Sequence, residues 1–435
     1  MILSQTLRYL RKQRANGILA GARAWRGLRE HRPNFGLIIA LLRSGNQRKP
    51  SSGAYDEPQN ILVIRLDAMG DVVMTTPIFR ELKLHYPNAT VTAVVQKGNS
   101  GLLETNPHVD RILSPSPVNK SRLAQQFRRE YSVACLYWKF LRKEHVDIAL
   151  QPALGPDIYG ANFLLRLINA PISLKYSDTP QKGLARKINT HAFRSMSSLP
   201  RPQPQHEVLS NLAVVEYLAG RHCASQPEVF LTERDRAFAK PFIGDADSYS
   251  TIVGVAFGAQ ARKRSWPLER WAEAIRLLAE HRTIFALVIC SEAERNDGEF
   301  LRSMLCVESR IVSGAALREA AACVEACDLF MGPDSGLAHL AAAVGCMPLV
   351  ISPHPADGDL GHGNSPVRFA PYSKHSRVIQ PNTGSPPCES GCDAIEPHCI
   401  LQISPAQIAQ ACEEMLGSID QQVGAVSIRK ADITS

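Results

Sequence analysis

Four short stretches of this 435-residue chain bring together residue types that can do chemistry. In the first, Asp67, Gly70 and Asp71 crowd the turn after the apolar run Ile61 to Leu66. A β-branched, nearly all-apolar run of that length reads as a strand buried on both faces of a parallel sheet. A carboxylate just beyond it stands at the carboxyl end of the sheet, where open α/β folds bind ligands, and can act as a general base. Asp71 equally suits a helix cap, because a helical pattern runs from it to about Tyr86. In the second stretch, Gly258-Ala-Gln-Ala-Arg262-Lys263-Arg264-Ser265-Trp266-Pro267, a glycine turn is followed by three cations, a combination that suits a diphosphate.

The third stretch runs from Met331 to Gly345. Asp334 or Ser335 can cap a helix there, Gly336 permits close approach, and the amides of Ser335 to Leu337 with the helix dipole form an anion site. His339, one turn in, is either a site residue or a satisfied structural histidine. In the fourth, Glu292 and Glu294 follow an apolar strand and are placed to accept from ribose hydroxyls, although either also reads as surface charge. Cys388, Cys392 and Cys399 with His398 are spaced C-x3-C-x6-C and lack the paired C-x2-C knuckles of a structural zinc site, so no metal is expected. The sequence has no G-x-S-x-G, Walker A or H-E-x-x-H motif. It also lacks G-x-G-x-x-G after the first strand of either half, which removes the dinucleotide oxidoreductase reading.

The elements that position these residues alternate. Strands are expected at Ile61 to Leu66, Thr90 to Gln96, Val109 to Leu113 and Val146 to Leu150, with helices between them, including a long basic one from Arg122 to His145. Residues 171 to 205 show no clear periodicity and read as loops over a cleft, and 227 to 250 as a connection. Alternation restarts at Thr251 and runs to Ser352. The expected organisation is therefore α/β: an arm and linker (1–58), a Rossmann-like domain (59–235), a second one (236–415) and a tail (416–435).

The net charge of +8 is local. Residues 1–50 hold eleven Lys and Arg against one acid, Glu30, which is +10 and leaves about −2 on the other 385 residues. A body of that charge gives no reason to expect nucleic acid as a partner. The arm interleaves apolar residues with arginine, the composition of a helix lying on an anionic membrane surface, although an arm packed on the body, a disordered one or a transit peptide are the other readings. Its longest apolar run, Phe35 to Leu42, is far too short to span one. Eleven cysteines, mostly inside apolar or helical patterns, fit a reducing compartment.

Taken together, Val63-Ile-Arg-Leu-Asp-Ala-Met-Gly-Asp-Val-Val-Met-Thr-Thr-Pro77, Asn106-Pro-His-Val-Asp110, Trp266-Pro-x-Glu-x-Trp271 and Gly332-Pro-Asp-Ser-Gly-Leu-Ala-His-Leu340 resemble the ADP-heptose:lipopolysaccharide heptosyltransferases, glycosyltransferase family 9. The resemblance covers about residues 60 to 415. It implies a GT-B architecture, two Rossmann-like domains facing across a cleft, with inversion at the sugar and no cofactor or metal in the site. Carried over by position, Asp71 would be the base, and Arg264 with Lys263 would hold the diphosphate near Gly70 and Gly258. Asp334 would bind the donor sugar, Ser335, Gly336 and Leu337 would take phosphate beside His339, and Glu294 or Glu292 would bind ribose. The implied partners are an ADP-sugar and a lipid-linked glycan at the cytoplasmic face of a bacterial inner membrane. The rival readings are a family 9 transferase with another nucleotide sugar and acceptor, and a catalytically silent sugar-nucleotide-binding subunit.

Overall fold

The structure, a computed structural model, describes residues 57–117, 125–155, 157, 159–176, 197–200, 202–244, 249–259, 261–386, 388, 391 and 394–417. The basic arm, Cys392 and the tail from 418 lie outside the described residues. Strands β1 (Asn60–Arg65), β2 (Thr90–Val95), β3 (Arg111–Leu113), β4 (Ile148–Gln151), β5 (Ile172–Tyr176) and β6 (Ser197–Leu199) form one parallel sheet in the order β3-β2-β1-β4-β5-β6. A second parallel sheet holds β7 (Thr251–Val255), β8 (Ile284–Cys290), β9 (Glu308–Ser313), β10 (Leu329–Pro333), β11 (Met347–Ile351) and β12 (Arg377–Ile379), ordered β12-β11-β10-β7-β8-β9. Counted from its own first strand, each sheet has the same doubly wound order, with its switch point between the first and fourth strands.

Both central strands are buried along nearly their whole length, as an all-apolar parallel strand requires. Helices cover both faces, and each sheet has hydrophobic clusters on its two sides. Trp266 and Trp271 meet edge to face, 4.9 Å apart, inside the second domain's core. There the Trp266 indole N–H donates to the Ile403 carbonyl at 3.3 Å. The helix at 405–417 packs Ile408, Cys412 and Leu416 into the same cluster.

Four elements differ from the sequence expectation. The helix drawn from Asp71 to Tyr86 is two helices, Met69–Val73 and Thr76–His85, because Pro77 has no N–H for the Val73 carbonyl. The Thr76 hydroxyl takes that carbonyl at 2.8 Å, and Asn211 Nδ2 takes the Met74 carbonyl at 2.9 Å. The segment read as cleft loops contains β5 and β6. Ser173 and Lys175, both buried, break up the apolar pattern of β5, and β6 is only three residues long. The supposed connection contains the helix Glu233–Ile243, opened by a Thr232/Asp235 capping box and disguised by Pro241. Finally, the long basic helix is described as Gln125–Leu136, followed by a wider π turn, Tyr137–Leu141.

The two halves meet along a polar seam. Arg318 donates to the Gly101 carbonyl at 2.8 Å and pairs with Glu104 and Asp235, each at 3.1 Å. His206 Nδ1 accepts the Val208 amide at 3.2 Å, and its Nε2 donates to the Ala370 carbonyl at 2.8 Å, which defines a neutral ring. Burial, reinforced by His339 and opposed by the bond to Ala370, pulls the His206 pKa from 6.5 down to about 4. The unfolded chain therefore takes up a proton that the folded protein refuses, and stability is lost as pH falls through that interval. Melting temperature should fall steadily below about pH 6.5, and His206→Asn should reduce that slope. An unchanged slope in the variant, followed by differential scanning fluorimetry against pH, would assign it to other groups.

Candidate active site

The site begins with a charge placed where no water reaches it. Arg65, the last residue of β1, is 2% exposed. Its Nη2 bonds Asp71 Oδ1 at 3.0 Å and Glu207 Oε1 at 3.1 Å, its Nε lies 3.0 Å from Asp67 Oδ2, and its Nη1 bonds Asn211 at 3.3 Å. Burial would lower the guanidinium pKa, but the carboxylates of Asp67, Asp71 and Glu207 overcome it and raise the value above its ordinary one. Glu207 is shared with Arg368 at 3.4 Å, across the seam.

The Asp71 carboxylate is thus gripped at both oxygens, because Oδ2 accepts the Ala68 amide at 3.1 Å as part of the helix cap. Cap and candidate base are therefore compatible roles. About a fifth of the side chain stays exposed, which leaves it open to a ligand. Asp67 is different. Burial first, then the carboxylates of Asp71, Asp157 and Glu207, push it up to about 6 against the opposing pull of Arg65. Asp157 caps the helix after β4, accepting four backbone amides from Tyr159 to Asn162 at 2.8 to 3.1 Å.

Facing this turn across the cleft is the helix Gly336–Ala343, which follows β10. Gly70 lies against the ring of His339, where an added Cβ would fall 2.6 Å from Cδ2, and Gly336 lies in the same way against Met69. A side chain at either glycine would push the two switch points apart. His339 is buried, its Nδ1 has no partner, and burial lowers its pKa against the opposing pull of Asp334 and Asp71. Its position against Gly70 gives it a packing role at the interface whatever else it does.

The cationic turn Arg262–Arg264 is a single 3-10 turn after β7. Arg264 pairs with the Asp334 carboxylate and carbonyl, both at 3.1 Å, and with Asn364 Oδ1 at 2.7 Å. Lys263 sits beside it in the turn. Ser335 caps the Gly336 helix by backbone geometry alone, its buried hydroxyl having no partner, and Leu337 lies in the first helical turn. Glu294 stands against Gly258, where an added Cβ would collide with its carboxylate, and closes a capping box with Ser291 at 3.0 Å. Glu292 is instead committed to Arg295 by two bonds of 2.9 Å and to Ser313 at 3.0 Å. Of the two acids, then, Glu294 is the one brought to the β7 turn.

On the first domain's side, a cavity of about 260 Å³ is lined by Leu66, Gln96, Lys97, Arg129 and Tyr159 among others. Arg129 stacks 4.8 Å over the Tyr159 ring, so the wall is both basic and aromatic. Sequence reasoning passed over these residues, and it also gave no role to Arg65, Glu207, Arg368 or Asn364. One signal was readable: a lone arginine closing an otherwise apolar buried strand demands acids around it.

Comparison with known proteins falls in line with this geometry. Residues 167–395, more than half of the chain, match the model of glycosyltransferase family 9 (heptosyltransferase). The lipopolysaccharide core heptosyltransferase OpsX of Haemophilus influenzae is 22% identical over 328 residues, covering 74% of this chain and 85% of the relative. Among solved structures, a glycosyltransferase family 9 protein from Veillonella parvula superposes with a TM-score of 0.66 at 17% identity, covering 84% of this chain and 99% of that one. The ADP-heptose lps heptosyltransferase II of E. coli superposes with a TM-score of 0.60 at 17% identity, covering 83% and 100%. With two like-wound sheets opposed at their switch points in a GT-B arrangement, and a family match across the whole of the second sheet, the chain belongs to glycosyltransferase family 9, the heptosyltransferases.

Proposed function

We propose that this protein is an inverting glycosyltransferase that moves a heptose, or a related sugar, from an ADP-linked donor onto lipopolysaccharide core or another lipid-linked glycan. The observation that carries the reading is the opposition of Asp71 on one switch point to Arg264, Asp334 and the Gly336 helix on the other, with Gly70 and His339 in contact between them. In this reading the acceptor hydroxyl gives its proton to Asp71 as its oxygen attacks the anomeric carbon from the side opposite the diphosphate. The sugar–phosphate bond breaks and the configuration inverts. Arg65 and the Ala68 amide hold the carboxylate still, so little reorganisation is needed as the proton moves.

The departing diphosphate would meet Lys263, Arg264 and the amides at Ser335 to Leu337, where the helix dipole favours negative charge. Asp334, already oriented by Arg264, would accept from sugar hydroxyls. Glu294 is the better placed ribose acceptor, since Glu292 is occupied by Arg295. The ADP-heptose donor is suggested by the E. coli relative whose name carries it, and the acceptor class by the lipopolysaccharide core enzymes. The acceptor would approach along the Lys97–Arg129–Tyr159 wall, whose cations suit an anionic glycan.

No helix among the described residues is long and apolar enough to cross a membrane. We place the arm, residues 1–50, on an anionic membrane surface at the cytoplasmic face of a bacterial inner membrane, where an amphiphilic acceptor is held. The support is its charge of +10 interleaved with apolar residues.

A melting screen against ADP-heptose and ADP-, GDP-, UDP- and CMP-sugars should give a selective rise with ADP-heptose, since about 100 Kd of a ligand that binds only the folded state contributes roughly 2.7 kcal/mol. A selective rise with another nucleotide would replace the donor, and no rise with any would overturn the sugar-nucleotide reading, the silent binding subunit included. Asp71→Asn should lower kcat by about 10²- to 10⁴-fold while leaving the donor-induced rise intact, and near-normal turnover would sink the mechanism. Deleting residues 1–55 should leave the melting curve unchanged and keep the protein in the supernatant when vesicles rich in phosphatidylglycerol are sedimented. Equal sedimentation of both forms would remove the membrane role.

A further inference from the structure

Behind the cationic turn, residues 380–398 form neither helix nor strand wherever they are described, yet two thiols and an imidazole converge there. One donor atom from each of Cys388, His398 and Cys399 lies within 4.8 Å of the other two. Both cysteines are free and almost fully buried, at 0% and 2% exposure. His398 Nδ1 stands 3.3 Å from Cys399 Sγ, which also meets the Cys388 thiol and the Ser385 backbone, the latter at 3.5 and 3.9 Å. The sequence singles these residues out but not as paired knuckles, because Cys388 is ten and eleven positions from His398 and Cys399 and meets them only once the loop has folded back.

We propose that Cys388, His398 and Cys399 hold a tetrahedral divalent metal ion, Zn²⁺ or Fe²⁺, that staples this loop to the second domain. Two thiolates and one imidazole are the soft donor set such ions select, and they leave a fourth position for water or another donor. Donors about 2.3 Å from a tetrahedral ion are roughly 3.7 Å apart, so a small contraction of the observed cluster completes the geometry. A disulfide would use the two sulfurs and leave the converging imidazole without a purpose. Metal binding releases the thiol protons and oxidises nothing.

The loop's other contacts show what the staple would support. Glu396 pairs with Arg262 at 3.1 Å. Gly391 lies against the His362 ring, and His362 Nδ1 accepts the amide of Asn364, the residue that holds Arg264. On the other side, Arg270 binds the carbonyls of Leu401 and Ile403 at 2.6 and 3.0 Å, while Ile400 and Ile403 fill the core. The ion would thus fix, from behind, the turn that carries three cations. It touches none of the residues assigned to proton transfer, and its presence does not depend on the proposed reaction.

The test is metal analysis of the full chain purified under reducing conditions without chelator or an immobilised-metal column. Plasma mass spectrometry should find about one zinc or iron per chain, retained in Cys306→Ser, whose cysteine is exposed, and lost from the double variant Cys388→Ser/Cys399→Ser. His398→Gln, which keeps both thiols, should give up its metal to a chelator concentration that the parent survives. X-ray absorption of the parent should show two sulfur ligands at about 2.3 Å. Stripping the metal should lower the melting temperature, and stoichiometric Zn²⁺ should restore it. A parent protein that carries no metal and takes up neither Zn²⁺ nor Fe²⁺ would overturn the proposal. So would equal metal in the double variant, or a Cys388–Cys399 disulfide found by mass spectrometry.

Discussion

A guanidinium buried at the end of a parallel strand cannot shed its proton and cannot reach water, so acids must be brought to it. Arg65 imposes that condition on the whole first domain. Asp67 and Asp71 come from the loop immediately after it, while Glu207 and Asn211 come from a helix more than 140 residues later. Deleting one member of a buried, hydrogen-bonded charge set typically costs about 3–5 kcal/mol. An exposed pair such as Arg276 with Glu273 contributes far less, because water and salt screen it. The buried set therefore decides where the helix Glu207–Ala219 docks, and Asn211 of that helix then binds Met74 and Thr75 at the break that Pro77 makes, which holds Asp71 in place.

The same charge set reaches the second domain, because Glu207 also takes Arg368. Close to it, the two switch points interlock through paired glycines, Gly70 under His339 and Gly336 under Met69. Each glycine admits the opposite helix's side chain. Interdomain geometry is thus set by a polar tether on one side of the cleft floor and by steric interlock on the other. A base and a cationic turn carried on separate sheets need such a seam, since a misplacement of about 1 Å can cost 10²-fold in rate.

Much of this was legible in the sequence, and the reasons are specific. The run Ile61 to Leu66 and its counterpart before Gly258 declare buried parallel strands by composition, and the turn residues after them declare a ligand end. Strand order was not legible, because hydrophobic pattern fixes which faces are buried but not which strands are neighbours. β5 escaped notice because Ser173 and Lys175 are buried polar residues, each at odds with the usual rule. The helix break at Pro77 could have been read from the missing N–H alone. The choice between Glu292 and Glu294 could not, since it turns on Arg295 and Ser313 taking one carboxylate out of use. Likewise, the Trp266 and Trp271 pair looked like part of a site motif and is a packing element of the core.

The cationic turn shows why so much of the second domain stands behind a few residues. Three like charges in succession repel one another, and a single 3-10 turn has too few backbone bonds to hold them. Each identified restraint comes from elsewhere: Glu396 on Arg262, Asp334 and Asn364 on Arg264. Asn364 lies in a turn between β11 and β12, and Glu396 in the stretch between β12 and the helix at 405–417; neither residue is in a helix or a strand. Trp266, donating to Ile403, ties the end of that stretch to the first core residue after the turn. The turn's rigidity therefore depends on how firmly the stretch after β12 is pinned, and Cys388, His398 and Cys399 converge beside Glu396, the residue that meets Arg262.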